Sequence, residues 1–156
     1  MDELRVPAIP IAVSALLLAA ACRSEPDLTL QPDSVLQAEL GLTREDRVYR
    51  VALTGGEVER ADPVALSIEA GAYVEFVTTD WLVHEVLFDS AALTPSQRGF
   101  LERTDQMSSP PMIDRGSRYV LSFVDAPPGR YTYRLEGNGS TSRGTIVVAS
   151  PESRSR

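Results

Sequence analysis

Residues 128–148 are PGRYTYRLEGNGSTSRGTIVV, and this stretch decides the fold class. Tyr131, Tyr133 and Leu135 alternate with polar residues, and such a period of two is typical of a β-strand that buries one face. The glycine-rich run at 137–139 is a turn signal, and a short apolar run at 145–149 follows it. The stretch therefore predicts a β-hairpin.

The same alternation recurs from about Val48 onward. It appears near residues 48–54, 64–68, 74–76, 84–88 and 119–123, with glycine and proline turns between the segments. Short alternating strands of this kind predict an antiparallel β-sandwich. One short helix is predicted near 95–104, because Thr94 and Gln97 have capping-box spacing and Pro95 takes the first helical position. A weaker helical signal covers about 34–42.

Length and composition limit the possible functions. A chain of 156 residues, shortened by any leader, supports one domain. The net charge of -7 argues against a nucleic-acid partner, which would need a basic face. Every basic residue is an arginine, so no lysine is present for Schiff-base or P-loop chemistry.

The N-terminal segment has the organisation of a signal peptide. An apolar run at 9–21 follows a short polar start and ends directly before Cys22. This ending resembles the lipobox of bacterial lipoproteins, in which the cysteine thiol takes the lipid. A plain secretory signal with an incidental Cys22 is the alternative. Because Arg23, not aspartate, follows the cysteine, we expect an exported protein anchored in the outer membrane and facing the periplasm.

These features predict the domain organisation. Residues 1–21 are the lipoprotein signal peptide, 22–33 a lipidated tether, 34–150 the β-sandwich domain and 151–156 a disordered tail. The expected partners are the membrane, through lipid on Cys22, and an envelope protein.

Two segments of the domain resemble the cupredoxins, in particular plastocyanin-like proteins. The first, 68–88, is similar to the strand pair in which a buried strand ends in Asn or Asp and a ligand histidine opens the next. The second, 128–148, is similar to the last hairpin, which begins at a Pro-Gly turn and carries a Tyr-x-Tyr strand. The resemblance implies an all-β, cupredoxin-like Greek-key sandwich with the short helix inserted near 95–104.

The ligand positions depart from that family. A type 1 copper ion needs a thiolate and two imidazoles. His84 matches the first histidine, but Leu135 stands at the cysteine position and Asn138 at the second histidine position. Ser142 or Arg143 falls at the position of the axial methionine. The chain has one histidine and one cysteine, so we expect no copper cofactor and a degenerate site whose only remnant is His84.

Several single residues leave alternatives open. His84 shares a face with Val86 and Phe88, which favours a core-edge histidine with a hydrogen bond over a ligand. A soft copper site built from His84, Met107 and Met112 is the alternative.

The residues around His84 in sequence leave further alternatives. Asp80, Glu85 and Asp89 are acidic neighbours that could supply a carboxylate pair for acid-base work, and we interpret them instead as a solvated face. Trp81 is a binding anchor if it is exposed and ordinary core if it is buried.

The leading functional hypothesis is an envelope lipoprotein whose metal-free cupredoxin-like domain is a binding or assembly module. The alternative is a copper-handling or electron-transfer protein that uses His84 and methionines. We do not expect an enzyme, because the sequence contains neither a Ser-His-Asp order nor a nucleophile elbow.

Overall fold

A computed structural model describes residues 28–150. The predicted signal peptide, the lipidation position Cys22, the first part of the tether and the tail 151–156 lie outside the described residues. Within residues 28–150, no helix is both long and apolar enough to cross a membrane.

The described chain contains eight strands, two α-helices and one 3-10 turn. In chain order they are the 3-10 turn Leu28–Leu30, α1 Ser34–Leu40, β1 Val48–Thr54, β2 Arg60–Asp62, β3 Ala65–Ile68, β4 Tyr73–Thr78, β5 His84–Phe88, α2 Pro95–Arg103, β6 Arg118–Ser122, β7 Gly129–Gly137 and β8 Ser142–Val148. The strands form two four-stranded sheets, ordered β2-β1-β4-β6 and β3-β8-β7-β5. The predicted all-β sandwich with its inserted helix is confirmed.

The prediction that the strands pair antiparallel is wrong for two pairs. β1 runs parallel to β4, and β3 runs parallel to β8. Alternation reports which face of a strand is buried, not the direction of its neighbour. β2 was not predicted, because its three residues Arg-Ala-Asp carry no alternating apolar pattern.

The core lies between the two sheets and is rich in aromatic residues. The Tyr133 ring meets Phe76 edge-on with centroids 5.2 Å apart, and Tyr131 meets Phe123 in the same way at 5.3 Å. The Tyr131 hydroxyl donates to the Pro127 carbonyl at 2.6 Å. The alternation of 131–135 that predicted a strand therefore buries the residues that build the core.

Helix α2 begins as its sequence predicts. The Thr94 hydroxyl accepts from the Gln97 backbone N–H at 3.3 Å, and the Gln97 side chain accepts from the Thr94 N–H at 2.9 Å. Phe100 and Leu101 of this helix are buried in the core. The helix thus closes one side of the sandwich and lengthens the connection between β5 and β6.

Helix α1 covers the outer face of the β2-β1-β4-β6 sheet and buries Leu36 there. Its N-cap residue Asp33 forms an ion pair with Arg118 at 2.8 Å, and Arg118 also lies 3.2 Å from the fully buried Glu75. Glu75 forms a second ion pair, with Arg50, at 2.8 Å. Ion pairs therefore connect Asp33, the N-cap of α1, to the sheet that the helix covers.

The 3-10 turn Leu28–Leu30 falls within the predicted tether. The Thr29 carbonyl accepts a hydrogen bond from Arg50 of β1 at 3.3 Å. Packing of the chain against the sandwich thus begins before α1.

Candidate functional site

Four connecting segments meet at one end of the sandwich and surround His84. They are the β1–β2 loop, the β4–β5 loop, the β7–β8 loop and the segment that begins at Met112. His84 opens β5, and its backbone pairs with Met112 through N···O contacts of 3.0 and 2.9 Å. Gly137 lies directly opposite His84 on β7. We call this region the loop end.

The His84 ring is buried and is held at both nitrogens. Nδ1 lies 2.8 Å from a carboxylate oxygen of Glu59, and Nε2 lies 2.8 Å from Oδ1 of Asp80. Only 1% of His84 is exposed. A metal ion needs an unshared lone pair on a ring nitrogen, and each nitrogen here already faces a carboxylate.

The two carboxylates also bind backbone N–H groups. The second oxygen of Glu59 accepts from Gly139 at 3.0 Å. Asp80 accepts from Gly55 at 2.7 Å and from Leu82 at 2.9 Å. We call the trio Glu59, His84 and Asp80 the carboxylate–histidine bridge. Five hydrogen bonds hold it, and three of them, Gly55 with Asp80, His84 with Glu59 and Gly139 with Glu59, connect the β1–β2 loop to the β4–β5 loop, to β5 and to the β7–β8 loop.

The electrostatics of Asp80 follow from this arrangement. Burial acts to raise the pKa of Asp80, but the hydrogen bonds from Gly55, His84 and Leu82, together with the charge of His84, outweigh it and lower the pKa. The ionised form of Asp80 is therefore the one that the loop end stabilises. The interpretation of Asp80 as part of a solvated face is wrong, because its side chain is a partner of His84.

The space beside His84 is filled by Glu59. A side-chain Cβ at Gly137 would lie 2.2 Å from the Val83 carbonyl oxygen and 2.6 Å from the Glu59 carboxylate. Only glycine lets the β7 backbone approach the bridge this closely. Glu59 itself is fully buried. The sequence did not predict the role of Glu59. The loop Gly-Gly-Glu-Val-Glu contains two glutamates, and nothing in the sequence indicates which carboxylate turns inward.

The predicted ligand positions hold no other copper donor. Leu135 is buried on β7 opposite Val86. The side-chain oxygen of Asn138 accepts from the Val83 N–H at 2.9 Å. Ser142 and Arg143 begin β8. These residues do not fit a type 1 copper ion, which needs a thiolate and two imidazoles. Within residues 28–150, no group of three or more His, Cys, Asp or Glu residues has the arrangement of a metal site.

The methionines of the alternative copper site lie at different places along β5. The backbone of Met112 pairs with His84, whereas the Met107 carbonyl accepts from Phe88 at the other end of the strand. Phe88 is four residues further along β5 than His84, which is about 13 Å of extended chain. The structure therefore does not bring the backbones of Met107 and Met112 together at His84.

The other two acidic neighbours do not reach the ring. Glu85 lies on the outer face of β5, directly opposite Glu136 of β7. Asp89 lies beyond the end of β5 and accepts from the Ala91 N–H at 3.1 Å.

Four exposed apolar side chains lie in the segments that form the loop end. Trp81 is 71% exposed, and Leu82, Val58 and Ile113 are also exposed. Val58 lies in the β1–β2 loop and Ile113 follows Met112. A Cβ at Gly55 would be 2.7 Å from Leu82, so the first two loops touch. We call these four residues the Trp81 patch. Trp81 is thus not a core residue.

Comparison with known proteins identifies the fold. A copper-containing nitrite reductase (NirK) from Thermus scotoductus superposes with a TM-score of 0.51 at 22% identity, covering 80% of this chain and 27% of the reductase. Weaker matches include a purple cupredoxin from Nitrosopumilus maritimus, with a TM-score of 0.43 at 19% identity over 65% of this chain and 99% of that one. An oxidized point mutant of amicyanin matches with a TM-score of 0.45 at 19% identity over 65% of this chain and 82% of that one.

No protein-family model and no curated protein sequence matches the chain. The match to the reductase and the two sheets agree on the fold. The chain is an all-β protein with a cupredoxin-like sandwich.

Proposed function

We propose that this chain is a non-enzymatic lipoprotein of the cell envelope whose metal-free cupredoxin-like domain binds a partner protein at its loop end. The observation that carries the proposal is the carboxylate–histidine bridge. It engages both nitrogens of the one histidine, at 2.8 Å each, and leaves the adjacent Trp81 71% exposed.

The exposure of Trp81 supports a binding role. Tryptophan is among the residues that contribute most to binding energy when a partner buries them. The loops that carry the Trp81 patch are fixed by hydrogen bonds, so little conformational entropy is lost when a partner binds.

Site-specific photocrosslinking tests the binding surface. We expect a photoreactive phenylalanine derivative at position 81 to give a discrete adduct with one envelope protein in intact cells. The same derivative at Val124, an exposed residue between β6 and β7 at the other end of the sandwich, is the matched control and should not give that adduct. Identical patterns at the two positions, or no adduct at position 81, would contradict the proposal.

The anchor is tested separately by the Cys22→Ser variant. Lipid on Cys22 would hold the chain at a membrane through buried acyl chains. We expect the wild-type chain in the membrane fraction and Cys22→Ser in the soluble fraction after cell lysis. A wild-type chain that is released as completely as the variant would contradict anchoring at this residue.

A further inference from the structure

We infer that Asn138 is a positioning residue, which acts through the Val83 backbone to hold Trp81 at the loop end. The role of Trp81 in binding rests on the proposed function, whereas the position of its loop depends on contacts within this chain. Asn138 lies in the β7–β8 loop, and Trp81 and Val83 lie in the β4–β5 loop. A side chain of one loop thus supports the tryptophan of another.

The contact is a hydrogen bond that continues the pairing of β5 with β7. The last pair of that ladder is His84 with Gly137. One residue beyond this pair on each side, the Val83 N–H donates to the side-chain oxygen of Asn138 at 2.9 Å. A backbone N–H only donates, so the oxygen of the Asn138 amide, not its NH₂ group, must face Val83. Asn138 therefore supplies the acceptor that a further strand residue would otherwise offer.

This hydrogen bond fixes one of the two ends of the segment that carries Trp81. Before Trp81, the Asp80 carboxylate accepts from a backbone N–H of the β1–β2 loop at 2.7 Å. After it, Val83 is held by Asn138. Only Trp81 and Leu82 lie between these two points, and both side chains are exposed. Without the Asn138 acceptor, the stretch that lacks cross-loop support would extend to the start of β5.

The turn that carries Asn138 is itself anchored. The next residue, Gly139, donates its N–H to the Glu59 carboxylate at 3.0 Å, and the Ser140 carbonyl accepts from the Glu59 N–H at 2.9 Å. A Cβ at Gly139 would lie 2.5 Å from the Gly56 carbonyl oxygen, so the turn packs directly on the β1–β2 loop. The support for Val83 is therefore a turn that a second loop holds in place.

Hydrogen exchange of the Val83 amide in the full chain tests this role, because it reports on the N–H that Asn138 holds. In Asn138→Ala the acceptor is absent, and we expect this amide to exchange about tenfold faster than in the wild type. The Leu135 amide, in the middle of β7, should keep its rate because the loss is local. Asn138→Asp keeps an acceptor oxygen and should leave the Val83 rate within about twofold of the wild type.

Trp81 gives a second readout, because it is the only tryptophan of the chain. We expect the fluorescence anisotropy of Trp81 to fall in Asn138→Ala and to keep its wild-type value in Asn138→Asp. Ser140→Ala is the matched control. Ser140 lies exposed in the same turn, and its hydrogen bonds with Glu57 and Glu59 are formed by its backbone, so neither readout should change.

Three results would overturn the inference. An unchanged Val83 rate in Asn138→Ala would show that this amide does not depend on the acceptor. Equal acceleration at Val83 and Leu135 would show a general loss of stability and no local support. An Asn138→Asp or Ser140→Ala variant that behaves like Asn138→Ala would show that the acceptor oxygen is not the cause.

Exchange and anisotropy need no binding partner, so their result is independent of the crosslinking experiment. With the photoreactive derivative at position 81, Asn138→Ala should give less of the adduct than the same chain with Asn138 intact. Faster local exchange at Val83 with no adduct at position 81 in either chain would keep the positioning role and remove the proposed function. An adduct with an unchanged Val83 rate would do the reverse.

Discussion

Replacing His84 with alanine is expected to lower the free energy of unfolding by about 3 kcal/mol, at the upper end of the cost of leaving a buried polar group without its hydrogen-bond partner. The reason is the environment of Glu59, which is fully buried and would keep only the Gly139 N–H as a partner. Denaturant unfolding of the variant and the wild type measures the loss.

A double-mutant cycle separates this effect from the loss of ring packing. In Glu59→Leu with His84→Leu, the buried carboxylate is removed together with its partner. We expect the double variant to be more stable than the sum of the two single losses predicts, by at least about 1 kcal/mol. Additive losses would show that Glu59 and His84 do not interact.

Replacing Gly137 with alanine is expected to cost about 2–3 kcal/mol, in the upper range of overpacked sites. The new Cβ would lie 2.2 Å from the Val83 carbonyl oxygen and 2.6 Å from the Glu59 carboxylate. Neither can withdraw easily, because one is backbone and the other is held by His84 and Gly139. Denaturant unfolding again gives the measurement.

Gly99→Ala is the matched control for that substitution. Gly99 lies within α2, and a Cβ there would meet only the end of the flexible Arg103 side chain, at 3.2 Å. Alanine should leave the stability unchanged or raise it by up to about 1 kcal/mol, because glycine is unfavourable inside helices. Equal losses at positions 137 and 99 would contradict the close approach of β7 to the bridge.

The sequence predicted the parts of the fold that depend on local pattern. Alternation found β5 and β7, because each buries one face on the core, and capping chemistry placed the start of α2 at Pro95. The sequence did not predict β2, because its three residues form a strand only through their pairing with β1. It also misjudged the direction of β3 against β8, since a strand's alternation is the same in both directions.

The site was predictable only in part. Counting one cysteine and one histidine was sufficient to expect a degenerate copper site, and the position of His84 in β5 was correct. The carboxylates that hold its ring were not found. Glu59 is 25 residues from His84 in the chain, and no periodicity links a loop glutamate to a strand histidine. Asp80 was noted as the acidic residue that ends the first cupredoxin-like strand and as a sequence neighbour of His84, but not as a partner of the ring, because the orientation of its side chain depends on the Gly55 loop.

Copper loading of the full chain tests the central claim most directly. The wild-type chain, with Cys22→Ser as the control for binding to the free thiol, is incubated with Cu(I) and with Cu(II), dialysed and analysed for metal. If the bridge holds both nitrogens of His84, Cys22→Ser retains no stoichiometric amount of copper, and the ring signals of ¹⁵N-labelled His84 do not change in either chain. One copper per chain that persists in Cys22→Ser and disappears in His84→Gln would contradict the account.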